Sequence, residues 1–144
     1  MEGGGGVSTR SPRQEHAPTT VRVPFAASSV AVARHRLKTW MREQGLPRDV
    51  IEDGRVVISE LVGNSVRHAQ PLSDGTILVT WALDRKGIRI SVTDGGSTSR
   101  PRTVRASASA LSGRGMAIVE ALAVDWWSEH SRSRSTTHAL LAAR

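Results

Sequence analysis

Apolar side chains occupy every second position of residues 77–81 and again of residues 88–92, and the sequence Arg-Lys-Gly at 85–87 separates the two runs. A period of two is that of a strand with one buried face. A short turn between two such runs predicts a β-hairpin, which ends at the sequence Asp-Gly-Gly of residues 94–96. The apolar face of this hairpin must be covered by another layer, which favours helices packed on one side of a sheet.

Two amphipathic helices are predicted before the hairpin. Apolar residues recur at intervals of three and four over residues 30–41, with Ser28 or Ser29 as the N-cap and Gly45 as the stop signal. A second helix is predicted for residues 47–69, because proline suits a first helical turn and an apolar stripe follows it.

The remaining segments are shorter. Residues 21–25 alternate in polarity and predict an edge strand that tolerates a proline. A short helix over 116–122 and a pair of strands at 124–127 and 137–141 complete the chain. The pattern predicts an α/β (α+β) two-layer sandwich, in which helices lie on one face of a mixed, mainly antiparallel sheet.

Residues 1–18 contain four consecutive glycines and hardly any apolar side chain, which predicts a flexible tail before a single domain at 19–144. Within that domain, residues 97–113 show little periodicity. A loop of that length in a compact domain usually has a function.

Composition excludes several classes of protein. The chain has no cysteine, so thiolate metal sites and cysteine nucleophiles are ruled out. No apolar run approaches the roughly 20 residues of a membrane-spanning helix, and no apolar signal core is present, so we expect a cytoplasmic protein without membrane contact. A net charge of +7 raises the question of nucleic acid, but one phenylalanine and no tyrosine supply a poor stacking surface. Phosphate on a small ligand would explain the charge as well.

Three polar residues lie four apart on the second predicted helix, namely Glu60, Asn64 and His68. They share one stripe of the helix, since 3.6 residues make a turn. A solvated face is the ordinary interpretation of such a stripe. However, Asn64 and Gly63 are both poor helix formers in mid-helix, which suggests that a ligand approaches this turn.

Two glycine motifs follow along the chain. The Asp-Gly-Gly sequence of 94–96 is either a plain turn or a place where a carboxylate and the backbone both reach a ligand. The Gly-Arg-Gly sequence of 113–115 opens a predicted helix, where free N–H groups can bind an anion. An ordinary loop exit explains it equally well.

The order and spacing of three segments resemble a known family. These segments are residues 60–69 (ELVGNSVRHA), 92–96 (VTDGG) and 112–119 (SGRGMAIV). They look like the nucleotide-binding boxes of the histidine-kinase-like ATPases, and more narrowly like those of the stand-alone anti-sigma-factor serine kinases of actinobacteria. The resemblance covers about residues 20–144 and implies the Bergerat ATP-binding fold, with ATP between the helix stripe and the long loop as a lid.

The resemblance implies roles for four residues of the first two segments. Asn64 would hold Mg²⁺ through its amide oxygen, a hard ligand suited to that ion. Glu60 would be the general base that takes the proton of an attacking hydroxyl group. Asp94 would accept a hydrogen bond from the adenine amino group, and Gly96 would let the base lie against the backbone.

It also implies phosphate contacts. Gly113 and Gly115 would direct backbone N–H groups at the phosphates, with Arg114 adding positive charge. Thr136 resembles the threonine that closes the adenine pocket in relatives. His68 would be a neighbour of the phosphates or a structural residue.

The resulting hypothesis is a protein serine/threonine kinase that uses ATP and Mg²⁺, phosphorylates a small anti-sigma-factor antagonist and controls a sigma factor. The alternative is an ATP-gated protein-binding module without kinase activity, because Thr98 replaces a glycine found in many relatives. A basic nucleic-acid binder is the third hypothesis. Relatives often dimerise, so a homodimer is retained among the expected partners.

Overall fold

A six-stranded antiparallel sheet forms one layer of the protein in the computed structural model, which describes residues 17–96, 103–104 and 114–143. The strands in chain order are β1 (Thr19–Pro24), β2 (Thr76–Asp84), β3 (Gly87–Asp94), β4 (Thr103–Val104), β5 (Asp125–His130) and β6 (Ser135–Leu141). Their order across the sheet is β1-β2-β3-β6-β5-β4. Every neighbouring pair of described strands is antiparallel. The predicted sheet of mainly antiparallel strands is confirmed, and the described strands include no parallel pair.

Three helices of the described residues form the second layer. They are α1 (Ser29–Glu43), α2 (Arg48–His68) and α3 (Arg114–Leu122). The central helix α2 contacts both other helices and also strands β3 and β6. The predicted sandwich is therefore confirmed, and α2 lies beside the middle of the sheet. Within the described part of the chain, none of these helices combines the length and apolarity that crossing a membrane requires.

The hydrophobic core lies between the helices and one face of the sheet. The predicted hairpin is β2 and β3, and it pairs Val79 with Val92 and Trp81 with Ile90. These side chains are at most 2% exposed. The buried residues of the helices that cover them include Leu37 and Met41 of α1 and Ile58, Leu61 and Val62 of α2.

The start of α1 differs from the prediction in detail. Ser28 is the N-cap residue, but its side chain makes no capping hydrogen bond. The Ser29 hydroxyl instead donates to the carbonyl oxygen of Pro24 at 2.6 Å and so ties the helix to the end of β1. Phe25 lies just beyond β1 and packs against the core.

Two predicted segments fall outside the described residues. The loop of 97–113 is described only at β4, which pairs with β5. The tail of 1–18 is described only at residues 17 and 18. The lid, the tail and the domain boundary therefore stay predictions.

Candidate functional site

The carboxylate of Asp94 lies at the end of β3 and points toward α2. Asp94 is 6% exposed, and both of its oxygens are fixed. Oδ2 accepts a hydrogen bond from the Ser65 hydroxyl at 2.5 Å, and Oδ1 accepts one from the Gly96 N–H at 2.8 Å. A buried carboxylate held by two donors is a rigid acceptor for a further polar group.

Burial raises the pKa of the Asp94 carboxyl group above its ordinary value of 3.8. The hydrogen bonds from Ser65 and from the Gly96 N–H lower it, and so does the charge of His130. A buried carboxyl group with a perturbed pKa is a candidate for function.

Glycine is required at the turn that follows Asp94. The Gly95 N–H donates to the carbonyl oxygen of Gln70 at 2.7 Å, and the Gln70 N–H donates to the carbonyl oxygen of Gly96 at 2.9 Å. A Cβ atom on Gly95 would overlap the carbonyl oxygen of Pro71. Gly96 has a φ of +84°, which favours glycine. The turn is thus joined to the chain that leaves α2.

Asn64 and Glu60 lie on α2, one turn apart, as predicted. The Oδ1 atom of Asn64 is buried and has no hydrogen-bond partner among the residues that the structure describes. An unpaired buried amide oxygen is costly, so its presence suits a ligand such as a hard cation. Glu60 is partly buried and lines a cavity of about 250 Å³ that also includes Arg34 and Ser59.

Three other predicted residues lie in the described helices. His68 is the last residue of α2 and is exposed. Arg114 and Gly115 are the first two residues of α3, which is the predicted helix start. Gly113 lies outside the described residues.

The structure does not bring the Thr136 side chain to Asp94. Residues opposite each other in antiparallel strands point to the same face, and the residue opposite Asp94 is Ser135. The Thr136 hydroxyl instead lies 2.9 Å from that of Thr93 on the outer face of the sheet. Ser135 is thus the β6 residue whose side chain shares the face of Asp94, and the role of Thr136 in closing the adenine pocket stays a prediction.

Sequence reasoning missed two polar residues near Asp94. Ser65 has no role among the residues that the sequence predicts, although it interrupts the apolar stripe of Leu61 and Val62 at helical spacing. A polar residue at such a position indicates a buried hydrogen bond. Ser135 is 9% exposed, and its hydroxyl lies 3.0 Å from Nδ1 of His130. Nothing in the sequence alone indicates that pair.

A second concavity, of about 570 Å³, lies on the outer face of the sheet. The side chains along it include those of Thr80, Arg89, Thr93, Thr136 and His138. His138 stacks on Trp127 with ring centroids 4.9 Å apart. Among the predicted site residues that the structure describes, Thr136 alone lines this surface, which lies on the opposite face of the sheet from Asp94.

The sequence profile of the histidine kinase-like ATPase domain matches residues 23–140. Two similar curated proteins are serine-protein kinases RsbW. The one from Listeria monocytogenes is 29% identical over 84 residues, which are 58% of this chain and 54% of that protein. The one from Bacillus thuringiensis is 32% identical over 76 residues, which are 53% of this chain and 48% of that protein.

A solved structure has the same fold. The RsbU and RsbW domains of Rv1364c from Mycobacterium tuberculosis align with a TM-score of 0.68 and 25% identity, over 88% of this chain and 32% of that one. The chain spans about half the length of the curated relatives it matches.

Proposed function

Because the chain belongs to the histidine kinase-like ATPase family, we propose that it binds ATP with Mg²⁺ and transfers phosphate to a serine of a small protein. The similarity to proteins named serine-protein kinase RsbW supports the kinase class. From the resemblance of the three nucleotide-binding segments, the acceptor would be an anti-sigma-factor antagonist and the regulated target a sigma factor. The observation that carries the proposal is the buried, unpartnered Oδ1 atom of Asn64, one turn of α2 beyond Glu60.

The nucleotide would lie beside the end of β3. Asp94 would accept a hydrogen bond from the adenine amino group, since both of its oxygens keep lone pairs beyond those used by Ser65 and Gly96. Gly96 is buried, and a Cβ atom there would meet only the backbone of Arg134, at 3.8 Å, so glycine leaves a small space at this turn. These features support adenine binding at this turn.

The phosphates would extend toward Asn64 and the start of α3. When bound, Mg²⁺ neutralises phosphate charge. Among the described residues there is no cluster of three His, Asp or Glu side chains arranged as metal ligands. A magnesium ion bound chiefly by phosphates and water needs few protein ligands, so the single amide oxygen of Asn64 suits it. The N–H groups at the start of α3 would add positive potential.

Glu60 would accept the proton that the acceptor hydroxyl loses. Its carboxylate is partly exposed and makes no hydrogen bond with the described residues, so it is free to accept a proton. Positioned general bases contribute about 10²- to 10⁴-fold to the rate. Arg34, which lines the same cavity and donates to Ser59 at 3.2 Å, supplies positive charge beside it.

The test separates binding from transfer. Calorimetric titration with ATP, with and without Mg²⁺, should show magnesium-dependent binding to the wild type. Asn64→Ala should weaken Mg-ATP about tenfold or more, because it removes a contact to a charged group. Glu60→Gln should keep ATP affinity but lower transfer of labelled phosphate to a serine of a small antagonist protein by at least about 10²-fold.

A matched control is Glu43→Gln at the exposed end of α1, which should change neither quantity. Equal Mg-ATP affinity in Asn64→Ala would remove Asn64 from the site. ATP binding without transfer, even by the wild type, would favour the ATP-gated binding module. Salt-sensitive DNA binding that ignores ATP would instead favour a nucleic-acid partner.

A further inference from the structure

The Asp94 carboxylate is oriented from two directions. The Ser65 hydroxyl reaches Oδ2 from α2, and the Gly96 N–H reaches Oδ1 from the turn after β3. Ser65 is 7% exposed, so this hydrogen bond forms in a largely buried environment. The two donors together fix both the position of the carboxylate and the rotation of its plane.

Ionised and protonated carboxyl groups differ in what they can bind. An ionised carboxylate only accepts hydrogen bonds, whereas a protonated one also donates. Adenine presents an amino group at its N6 position, a donor, and guanine presents an oxygen at O6, an acceptor. An ionised Asp94 therefore selects adenine, and a protonated Asp94 can also satisfy guanine.

We propose that Ser65 is the positioning residue that holds Asp94 as an ionised acceptor and thereby sets the preference of this site for adenine over guanine. The inference rests on the proposed nucleotide site. Ser65 touches no reacting group, and it acts through Asp94. Ser65 reaches Asp94 because it lies in the buried stripe of α2, which faces the end of β3.

Burial and partners act on Asp94 in opposite senses. Burial alone would keep the carboxyl group protonated to a higher pH, and the hydrogen bond from Ser65 is the largest influence that lowers its pKa. The N–H of Gly96 and the charge of His130 act in the same direction. His130 ends β5 beside Ser135, which lies opposite Asp94 in the sheet. Because the Ser65 hydroxyl has the largest lowering effect on the pKa of Asp94, it is the group to remove in a test.

The experiment compares the wild type with Ser65→Ala. The ¹³C signal of the Asp94 carboxyl group, titrated without nucleotide, should show a midpoint about one to two pH units higher in the variant, because a hydrogen bond to a charged group has been lost. Affinities for ATP and for GTP are then measured over the same pH range. On acidification, Ser65→Ala should begin to lose ATP affinity at a pH about one to two units higher than the wild type does. Its preference for ATP over GTP should fall over the same pH range.

A buried serine away from Asp94 is the matched control. Ser128 is 1% exposed, and its hydroxyl lies 3.0 Å from that of Thr137. Ser128→Ala should leave the Asp94 midpoint and the pH dependence of selectivity unchanged. Should Ser65→Ala fail to fold, Ser65→Cys retains a weaker donor and should shift the same midpoint upward by less.

The outcomes distinguish two failures. A wild type that binds neither nucleotide at any pH refutes the proposed function and this inference with it. A wild type that binds ATP, with an Asp94 midpoint or a selectivity profile that Ser65→Ala does not move, refutes the role of Ser65 alone. A shift equal to that of Ser128→Ala does the same.

Discussion

Replacing Gly95 with alanine tests how closely the end of β3 must approach the chain that leaves α2. The added Cβ atom would overlap the carbonyl oxygen of Pro71, and it would lie 2.8 Å from the carbonyl carbon of Pro71 and 3.0 Å from the carbonyl oxygen of Gln70. All three atoms belong to backbone, which cannot rotate away as the end of a side chain can. The turn must therefore move off α2, and Asp94 must move with it.

The magnitude follows from what that movement breaks. Two hydrogen bonds join the turn to Gln70, at 2.7 and 2.9 Å. At about 0.5–1.5 kcal/mol each, their loss lowers the free energy of unfolding by about 1–3 kcal/mol. For a domain of this size the expected fall in Tm is about 4–12 °C. Because Asp94 is displaced from its position, ATP affinity should fall about tenfold or more.

Calorimetry on the same samples measures both quantities, and Gly75→Ala is the matched control. Gly75 has a φ of +82° and no atom within 4 Å of its Cβ position. Alanine there should cost about 1–2 kcal/mol through the left-handed backbone alone, with ATP affinity unchanged. Wild-type ATP affinity in Gly95→Ala, or a Tm within about 1 °C of wild type, would refute the proposed close approach.

Two further substitutions probe the cost of the buried carboxylate and the packing of α1. Asp94→Asn should abolish adenine selectivity yet raise the Tm near neutral pH. Burial raises the folded-state pKa of Asp94, so the stability of the wild type falls as the pH rises through that pKa. The Tm advantage of the variant should therefore vanish below about pH 4. A Tm difference that is independent of pH would contradict this reasoning. Leu37→Ala should lower the free energy of unfolding by about 2–5 kcal/mol, because Leu37 is fully buried under α2 and the sheet. Val32→Ala, at a position 48% exposed on the same helix, should change it by less than about 0.5 kcal/mol in a denaturant titration, and equal losses would contradict the assigned core.

Local patterns predicted the elements because each has a period that one segment displays by itself. The alternation of residues 77–92 predicted β2 and β3, and the stripe along residues 47–69 predicted α2 within one residue at each end. The same stripe placed Glu60 and Asn64 one turn apart. Ser28 is the predicted N-cap residue of α1, but its side chain makes no capping hydrogen bond. The hydroxyl that forms a hydrogen bond is that of Ser29, which donates to the carbonyl oxygen of Pro24 at the end of β1.

The contacts that complete the site join residues far apart in the chain, and no local period contains them. Ser65 and Asp94 are 29 residues apart, and their bond depends on how α2 crosses the end of β3. In the sheet, the decisive quantity is the register between β3 and β6, since a shift of one residue exchanges the two faces of a strand. The observed register sets Ser135 opposite Asp94 and sends Thr136 to the outer face beside Thr93. Thr136, which its place in a motif assigns to the adenine pocket, therefore has its side chain on the opposite face of the sheet from the Asp94 carboxylate.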